Sequence, residues 1–581
     1  MNAPWLEHYD PGIPRSISPY PEKTLVDVLR ERVQQNPAAV ALVFKGRAIS
    51  VAELDRASDA LAHSLVRLGV KHGDRVALLL PNAPQFIISQ FATWKAGAIC
   101  APQNPIHTDR ELEESMGASE PDSIITLTPF YERVKRCQRA TGVKHVIVTN
   151  IKEHFPTALR ILFTLLREKK DGHRITIASG DRWLADLIRE GQRLGPFPSQ
   201  AKPHDDAMIL MSGGTTGTPK GTVSDHRSLV MTGIQISTWL HEPLSSDRAS
   251  IMLPLPLFHA YGSGAAMPAA MLGRAPLILV PNPRDISDVI KTIEHEKPTV
   301  FCAVPALLNA LLAHPKVAAR KADFSSIEAT FSGAAALLAE TKKRFETITG
   351  GRIIEAYSLT EATLAACCNP YRGPNKVGSV GMPLPDVHVS IVDADDWTRE
   401  LPAGETGEIV IRAPQLMRRY WNNPEETATV LRRDGDGTLA LLTGDLGYFD
   451  EDGYLFIVDR KKDLIKTSGC QVWPREIEEV IATHPGVGEV GVAGVPDARK
   501  GEVVMAWIVP RGDATLTEAD VRAFCADKLA PYKIPARVEI RKELPKTLVG
   551  KVLRRALVAE VKAQVKAQMS GTVQTNQARR A

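Results

Sequence analysis

The stretch Met211-Ser212-Gly213-Gly214-Thr215-Thr216-Gly217-Thr218-Pro219-Lys220-Gly221 decides how the chain is read. The apolar run before it, Ala207-Met208-Ile209-Leu210-Met211, is short and reads as a buried strand. A helical pattern follows, with Ser224 or Asp225 as candidate N-cap. Four glycines let the backbone turn and approach a ligand closely. Successive backbone N–H groups in such a turn form a concave anion site. Ser212, Thr215 and Thr216 add hydroxyl donors, and Lys220 adds a positive charge. These are the parts needed to hold a polyphosphate. The G-x-x-x-x-G-K-[ST] pattern is not met, because Pro219 precedes Lys220 and Gly221 follows it, so a P-loop NTPase is disfavoured. Alone, the loop also reads as a Gly/Thr surface turn, and the rest of the chain has to decide.

Outward from the loop, strand and helix signals alternate to about residue 320, the pattern of an α/β fold with largely parallel sheets. A helix is expected from Thr24 to Gln35, a strand at Val40–Phe44, and a capping box at Ser50 and Glu53. The helix opened there carries Leu54, Ala57, Leu61, Leu65 and Leu68 on one stripe. Val76–Leu80 reads as a strand, and a Pro-Asn turn leads into a helix across Pro84–Gly97. From about Gly404 the character changes to antiparallel strands, Glu408–Arg412 and Gly453–Val458, joined by charged turns. A small α/β unit follows, with strands at Glu489–Val495 and Val503–Val509 and helices at Pro474–Thr483 and Thr517–Leu529. The segment His154–Lys170 stands out as a dense apolar run edged by Arg160, Arg167, Lys169 and Lys170. The expected reading is a helix packed on the domain surface with its basic end solvated. The alternative is an interfacial helix that touches anionic lipid.

At 581 residues the chain is too long for one core. Hydrophobic content of 44% and charged content of 24% are those of an ordinary globular protein. A net charge of +4 gives no reason to invoke nucleic acid. Seven scattered cysteines without a C-x-x-C argue against a disulfide framework and against structural zinc, and fit a reducing, cytoplasmic setting. The first twenty residues hold four prolines and no long apolar run, unlike a signal peptide. No stretch reaches the roughly 18 apolar residues of a membrane span.

Further motifs stand in order along the chain. They are Pro256-Leu-Phe-His259, Ser332-Gly-Ala-Ala-Ala336, Tyr357-Ser-Leu-Thr360-Glu361, Gly378-Ser-Val-Gly-Met-Pro383 and Gly404-Glu-Thr-Gly-Glu-Ile409. After them come Thr443-Gly-Asp445, Asp459-Arg460, Ser468-Gly-Cys-Gln-Val472 and Pro545-Lys-Thr-Leu-Val-Gly-Lys551. With the opening loop, this set resembles the adenylate-forming superfamily of acyl-CoA synthetases, luciferases and adenylation domains, over roughly residues 25–560. The resemblance implies a large N-terminal domain of two α/β sheets plus a distorted β-barrel, and a small mobile α+β C-terminal domain. The boundaries expected are an irregular arm at 1–22, the large AMP-binding domain at 23–459, a hinge at 460–463, the small domain at 464–565 and a disordered tail at 566–581.

The resemblance also implies roles. ATP would be held through Ser212, Gly214, Thr215, Thr216, Gly217 and Lys220, with adenine beside Ala334, Ala335 and Tyr357, and Thr360 on the α-phosphate. Asp445 and Arg460 would take the ribose, and Glu361 the Mg²⁺ ion, which needs few protein carboxylates. Lys551, Thr216, Glu361 and Lys220 would serve adenylation, where positive charge must offset the repulsion of two anions. Rotation about Lys462 would then exchange Lys551 for the Ser468–Val472 segment. There Gly469 leaves room for the pantetheine arm of CoA, and Lys466 is a weaker candidate. His259, Ser263 and Gly333 would line the acyl pocket, with Ala260, Gly262 and Gly264 leaving space for an aliphatic tail. A direct proton-transfer role for His259 is not expected.

The Ser212-Gly213-Gly214 form and the insertion at 151–170 resemble the long-chain subgroup, whereas Ser263 stands where some of its members carry a tryptophan gate. The reaction expected is AMP-forming ligation of a medium- to long-chain fatty acid to CoA. The alternatives are an aryl or other carboxylate as the acid, or a carrier-protein thiol as the acceptor. The partners are thus small molecules, with membrane contact through 154–170 as the one addition; the sequence sets no oligomeric state.

Overall fold

The computed structural model describes residues 3–212, 219–335, 337–467, 470–497, 501–512, 514–546 and 552–564. Gly214, Thr215, Thr216, Gly217, Gly469, Lys551 and the tail at 566–581 lie outside the described residues. The chain forms two compact units, Met1–Val389 with Ile411–Leu442, and Ser390–Val410 with Thr443–Ala581.

The first unit contains two large sheets. One has eight strands in the order Arg419–Tyr420, Lys220–Asp225, Asp206–Ser212, Ile99–Pro102, Arg75–Leu79, Ser123–Leu127, His145–Thr149, Arg182–Trp183. Its strands from Asp206–Ser212 onward are parallel. They read as near-continuous apolar runs, Val76 to Leu79 all at 0% exposure, because a parallel sheet is covered on both faces. The other sheet has nine strands, with a parallel centre running from Arg352–Tyr357 through Ala329–Ser332, Val300–Ala303, Ile251–Leu253 and Leu277–Leu279 to Val40–Phe44.

Local sequence explains where the helices begin. Thr24 caps Leu25–Gln35 by accepting from the Asp27 N–H, and the Asp27 carboxylate accepts from the Thr24 N–H. At Ser50 only half of the expected box forms. The Ser50 hydroxyl accepts from Glu53 N–H, but the Glu53 carboxylate pairs with Arg47 instead. The helix Pro84–Lys95 is buried along its whole length. Phe86, Phe91 and Trp94 are at 0% exposure, each contributing about 2–3 kcal/mol of hydrophobic stabilisation. Lys95 at its end is also fully buried. Its ammonium donates to Asp55 Oδ1 at 2.6 Å, Asp59 Oδ1 at 2.7 Å and Ser58 Oγ at 2.9 Å, which offsets the cost of taking a cation out of water. The basic apolar segment packs on the domain surface as expected, but through one side only: Phe163 meets Phe155 and His173, while Arg167, Lys169 and Lys170 at its end are exposed. Thr157–Leu166 is a helix without a single buried residue.

In the second unit Thr443–Phe449 and Leu455–Arg460 form an antiparallel hairpin with Asp445 opposite Arg460. The small sheet runs Cys470–Val472, Ile465–Thr467, Gly501–Pro510, Val487–Asp497, with Arg537–Ile540 beside Gly501–Pro510. Ile477, Ile481, Val521 and Cys525 of the helices Pro474–Ala482 and Glu518–Ala526 cover one face with Val492, Val504 and Ile508. Leu557 and Val561 of the helix 554–564 join Val495, Val503, Met505 and Trp507 on the other. A third sheet consists of His388–Val392, Gly407–Arg412, Leu439–Phe449 and Leu431–Arg433, with Leu455–Arg460 on Leu439–Phe449. Among the described residues it is open, so the expected distorted barrel is a five-stranded open sheet.

Cys100, Cys137, Cys302, Cys367, Cys368 and Cys525 are free and buried. No helix among the described residues is long and apolar enough to cross a membrane.

Candidate active site

In parallel sheets, loops at the carboxyl ends of strands are the usual place for ligands, because successive connections diverge there. Most motif residues of the first unit stand at such ends. His259 follows Ile251–Leu253, Gly333 to Ala335 follow Ala329–Ser332, and Thr360 and Glu361 follow Arg352–Tyr357, which ends on Tyr357 itself. In the other sheet Ser212 ends Asp206–Ser212.

The Gly-rich stretch joins two antiparallel strands, with Ser212 opposite Lys220. A strand, Lys220–Asp225, therefore comes between the loop and the helix His226–Trp239, where the sequence pattern shows only the helix. Of the two candidate caps, Asp225 takes the position by accepting from Ser228 N–H at 2.7 Å. Ser224 instead places its hydroxyl 3.2 Å from that of Thr363.

Lys220 is only 10% exposed and forms an ion pair with Glu426. Its ammonium also lies over the Tyr420 ring, 5.5 Å from the centroid. The Tyr420 hydroxyl donates to Glu361 Oε1 at 2.8 Å. Burial, and then the charge of Glu361, push the Tyr420 phenol well above its ordinary value, so it stays a donor. One chain of contacts thus runs Glu426, Lys220, Tyr420, Glu361. The short strand Arg419–Tyr420 sets it by pairing with Lys220–Asp225, Tyr420 opposite Thr222. Met417 N–H donates to the Glu361 carbonyl at 2.8 Å, fixing the backbone of the glutamate.

The turn that carries Glu361 ends in strained backbone. Thr363 and Leu364 just after it have φ of +48° and +64°, uncommon for side-chain-bearing residues. Thr232 Oγ1 holds the turn by donating to the Thr363 carbonyl, and Gln415 by donating to that of Ala365. Ala334 is likewise left-handed, at +68°. The Glu361 carboxylate suits a hard cation that takes most of its ligands from elsewhere. Tyr420 orients one oxygen, no described side chain donates to the other, and no cluster of three metal-ligating residues competes among the described residues.

His259 lies in the segment after Ile251–Leu253, which Asn82 pins. The Asn82 amide donates to the carbonyls of Leu253 and Leu255 and accepts from Leu257 N–H. The His259 Nδ1 accepts from Tyr261 N–H at 3.2 Å, which places the ring proton on Nε2. Burial pushes its pKa down to about 4, so the ring is neutral at pH 7. The Tyr261 hydroxyl donates to the Phe331 carbonyl, and its ring lies beside Gly333, linking the histidine segment to the Ser332–Ala335 loop. The Ser263 hydroxyl donates to the Leu257 carbonyl and is fully buried. The small residues here serve different ends. A Cβ on Gly262 would stand 2.4 Å from the Pro256 carbonyl oxygen, so this glycine allows close backbone packing. A Cβ on Gly264, though the residue is buried, would meet only Ala260, at 4.0 Å.

In the second unit Asp445 is 5% exposed and its Oδ1 accepts from Arg460 Nε at 2.9 Å. Thr443 Oγ1 accepts from Asp445 N–H and donates to the Ile409 carbonyl. Asp459 accepts from Arg475 N–H at 2.8 Å and from Arg554 at 3.0 Å. Arg554 also pairs with Glu478 and Asp463. Against the desolvation that burial imposes, these carboxylates hold the guanidinium above its ordinary value. Lys462 is exposed in the turn between Asp459 and Asp463, and Lys466 is exposed with its N–H donating to Glu502.

Tyr420, Glu426 and Asn82 are the additions that sequence reasoning missed. Asn82 had a signal, in the Pro-Asn turn. Tyr420 and Glu426 lie some 200 residues beyond Lys220, in a two-residue strand and a short helix that no periodicity marks.

The family of AMP-binding enzymes matches residues 29–421, and the AMP-binding enzyme C-terminal domain matches 476–551. The long-chain-fatty-acid–CoA ligase of Bacillus subtilis is 37% identical over 534 residues, 92% of this chain and 93% of its own length. The crystal structure of ATP-bound MatB from Rhodopseudomonas palustris superposes with a TM-score of 0.78 at 28% identity, over 93% of this chain and 99% of its own. The anthranilate CoA ligase AuaEII in complex with anthranoyl-AMP gives a TM-score of 0.78 at 25% identity, over 93% and 97%. The chain belongs to the AMP-binding enzyme family.

Proposed function

We propose that this protein is an AMP-forming acid–thiol ligase that activates a medium- to long-chain fatty acid with ATP and Mg²⁺ and transfers it to CoA. The acid's carboxylate attacks the α-phosphorus of ATP, pyrophosphate leaves, and acyl-AMP forms. The CoA thiol then attacks the acyl carbon and AMP leaves. The observation that carries the choice of acid is the 37% identity, over nearly the whole chain, to a relative named for long-chain fatty acids. The buried room beside Gly264 supports it. The aryl alternative draws on the likeness to an anthranilate ligase, and a carrier-protein thiol remains the alternative acceptor.

In this reading Ser212, Lys220 and residues 213–218, with Thr216 among them, grip the β- and γ-phosphates, a leaving group rather than a transferred one. Tyr357, Ala334 and Ala335 flank adenine, Thr360 contacts the α-phosphate, and Asp445 with Arg460 takes the ribose. Glu361 would hold Mg²⁺, which supplies charge neutralisation at the phosphates. His259, neutral, shapes the acyl site. Lys551 serves the first step and Gly469 the second, on either side of a hinge at Lys462. The setting is cytoplasmic, in keeping with six free buried thiols. An acid of this kind partitions into bilayers, and residues 154–170 are the part of the chain suited to meet one.

Pyrophosphate and AMP release, measured with ATP, Mg²⁺, CoA and a panel of fatty, benzoic and cinnamic acids, tests the reading. Turnover should be greatest with fatty acids of medium to long chain. Preference for the aromatic acids would establish the alternative.

A further inference from the structure

The helix Thr157–Leu166 has two unlike sides. Its inner side is fixed to the first unit. Phe163 meets Phe155 edge-on at 5.5 Å and His173 at 5.3 Å, Phe155 stacks on Phe44 at 5.7 Å, and Lys152 donates to Thr164 Oγ1 at 3.1 Å. Its outer side carries Ile161, Leu162, Leu165 and Leu166, 56, 53, 76 and 65% exposed. The three- and four-residue spacings put these on one stripe. Scattered exposed aliphatics are ordinary, but four on one ten-residue helix form a contiguous patch of the kind that marks an interaction surface.

The charges around the patch have one sign. Lys169 and Lys170, just past the helix, are exposed and have no acidic partner among the described residues; Arg160, also unpaired, stands on the opposite stripe with Phe163 and Thr164. The acids of the same segment are engaged elsewhere. Glu168 is buried against Lys152 at 2.6 Å, Asp171 pairs with Arg167 at 2.9 Å, and Glu153 accepts from Asn150 N–H and Thr149.

We infer that this face docks on an anionic bilayer, the helix lying in the interface with its four aliphatic side chains among the acyl chains and the cations at lipid phosphates. Ten residues make a helix of about 15 Å, enough to lie on a leaflet and too short to cross one. Charge decides against a second copy of this chain as the occupant. A two-fold contact would set the same cationic rim against itself. The inference deepens the membrane part of the proposed function and depends on the identity of the acid only for its purpose, delivery of a substrate dissolved in the bilayer.

Flotation of the full chain with phosphatidylcholine vesicles, with and without phosphatidylglycerol, tests it. The protein should float with the anionic vesicles, poorly with the neutral ones, and less at raised salt, which screens the cations. Leu165→Gln with Leu166→Gln, and separately Lys169→Glu with Lys170→Glu, should each lower partitioning at least about tenfold. Both double variants should leave melting temperature and turnover of a short, water-soluble acid unchanged. No flotation by a protein that still makes acyl-CoA would overturn the docking and leave the ligase reading intact. Flotation without AMP release would do the reverse. Flotation unchanged in both variants would rule out this helix as the contact. A dimer in solution that the leucine variant dissociates would make a second copy the occupant and overturn the inference.

Discussion

Lys220 is the residue on which the site's electrostatics turn. It cannot serve a polyphosphate and Glu426 equally, since both anions compete for one ammonium. Glu426→Ala should therefore lower the KM for ATP severalfold while kcat stays within about threefold, read from pyrophosphate release against ATP concentration. A raised KM would mean that Glu426 aims the lysine rather than restrains it. Tyr420→Phe removes the donor to Glu361, and a hydrogen bond to a charged group is worth about 1.5–3 kcal/mol. A fall in kcat/KM of about ten- to a hundredfold is expected, with the Mg²⁺ requirement shifted to higher concentration. Gly264→Leu should fill the room beside Ala260 and turn preference toward shorter acids, whereas Gly262→Ala should disturb the backbone and lower turnover of all acids alike. Sequence alone could point to Lys220, Glu361 and His259, because each sits in a local motif. It could not point to Tyr420 or Glu426, whose meaning comes from strand pairing across some 200 residues.

Elements whose code is local were readable. Thr24 announces Leu25–Gln35, Val40–Phe44 is observed with the expected bounds, and Asp225 caps its helix. Where a tertiary partner competes, the local code fails, as at Glu53, whose carboxylate turns to Arg47. The strand Lys220–Asp225 was hidden because its partners, not its composition, make it a strand. Lys95 is the sharpest case. A lysine closing a helix reads as a solvated end, yet it is fully buried between Asp55 and Asp59. Lys95→Met should cost about 3–5 kcal/mol in urea unfolding, because Asp55 loses its cation and Asp59 keeps only Arg30, at 3.7 Å. In the second unit, Arg554→Met should cost about as much through Glu478, which is 18% exposed. A loss below about 1 kcal/mol in either would show that water reaches the acids.

At the scale of the whole molecule, three histidines set the acid limit. Burial pushes His154, His226 and His259 down to about 4. The unfolded chain binds more protons than the folded one between about pH 6.5 and 4, so stability rises with pH through that window and is lost as pH falls through it. Each histidine is worth on the order of 1 kcal/mol or more there, and His226→Gln should flatten a plot of melting temperature against pH. The two half-reactions should also separate. Lys551→Ala is expected to abolish adenylate formation yet spare thioester formation from supplied acyl-AMP, and Gly469→Leu to do the opposite. If both variants lost only the first step, distinct segments for the two steps would be refuted. The buried thiols have a use of their own. Burial raises the Cys302 thiol to about 12 and removes reagent access, so alkylation at any of the six sites waits for a local opening. Cys100 and Cys137 belong to the eight-stranded half of the first unit, Cys302, Cys367 and Cys368 to the nine-stranded half, and Cys525 to the small unit. Timed mass spectrometry of the native protein in a thiol reagent would then resolve which of these three regions breathes first, with no engineered probe.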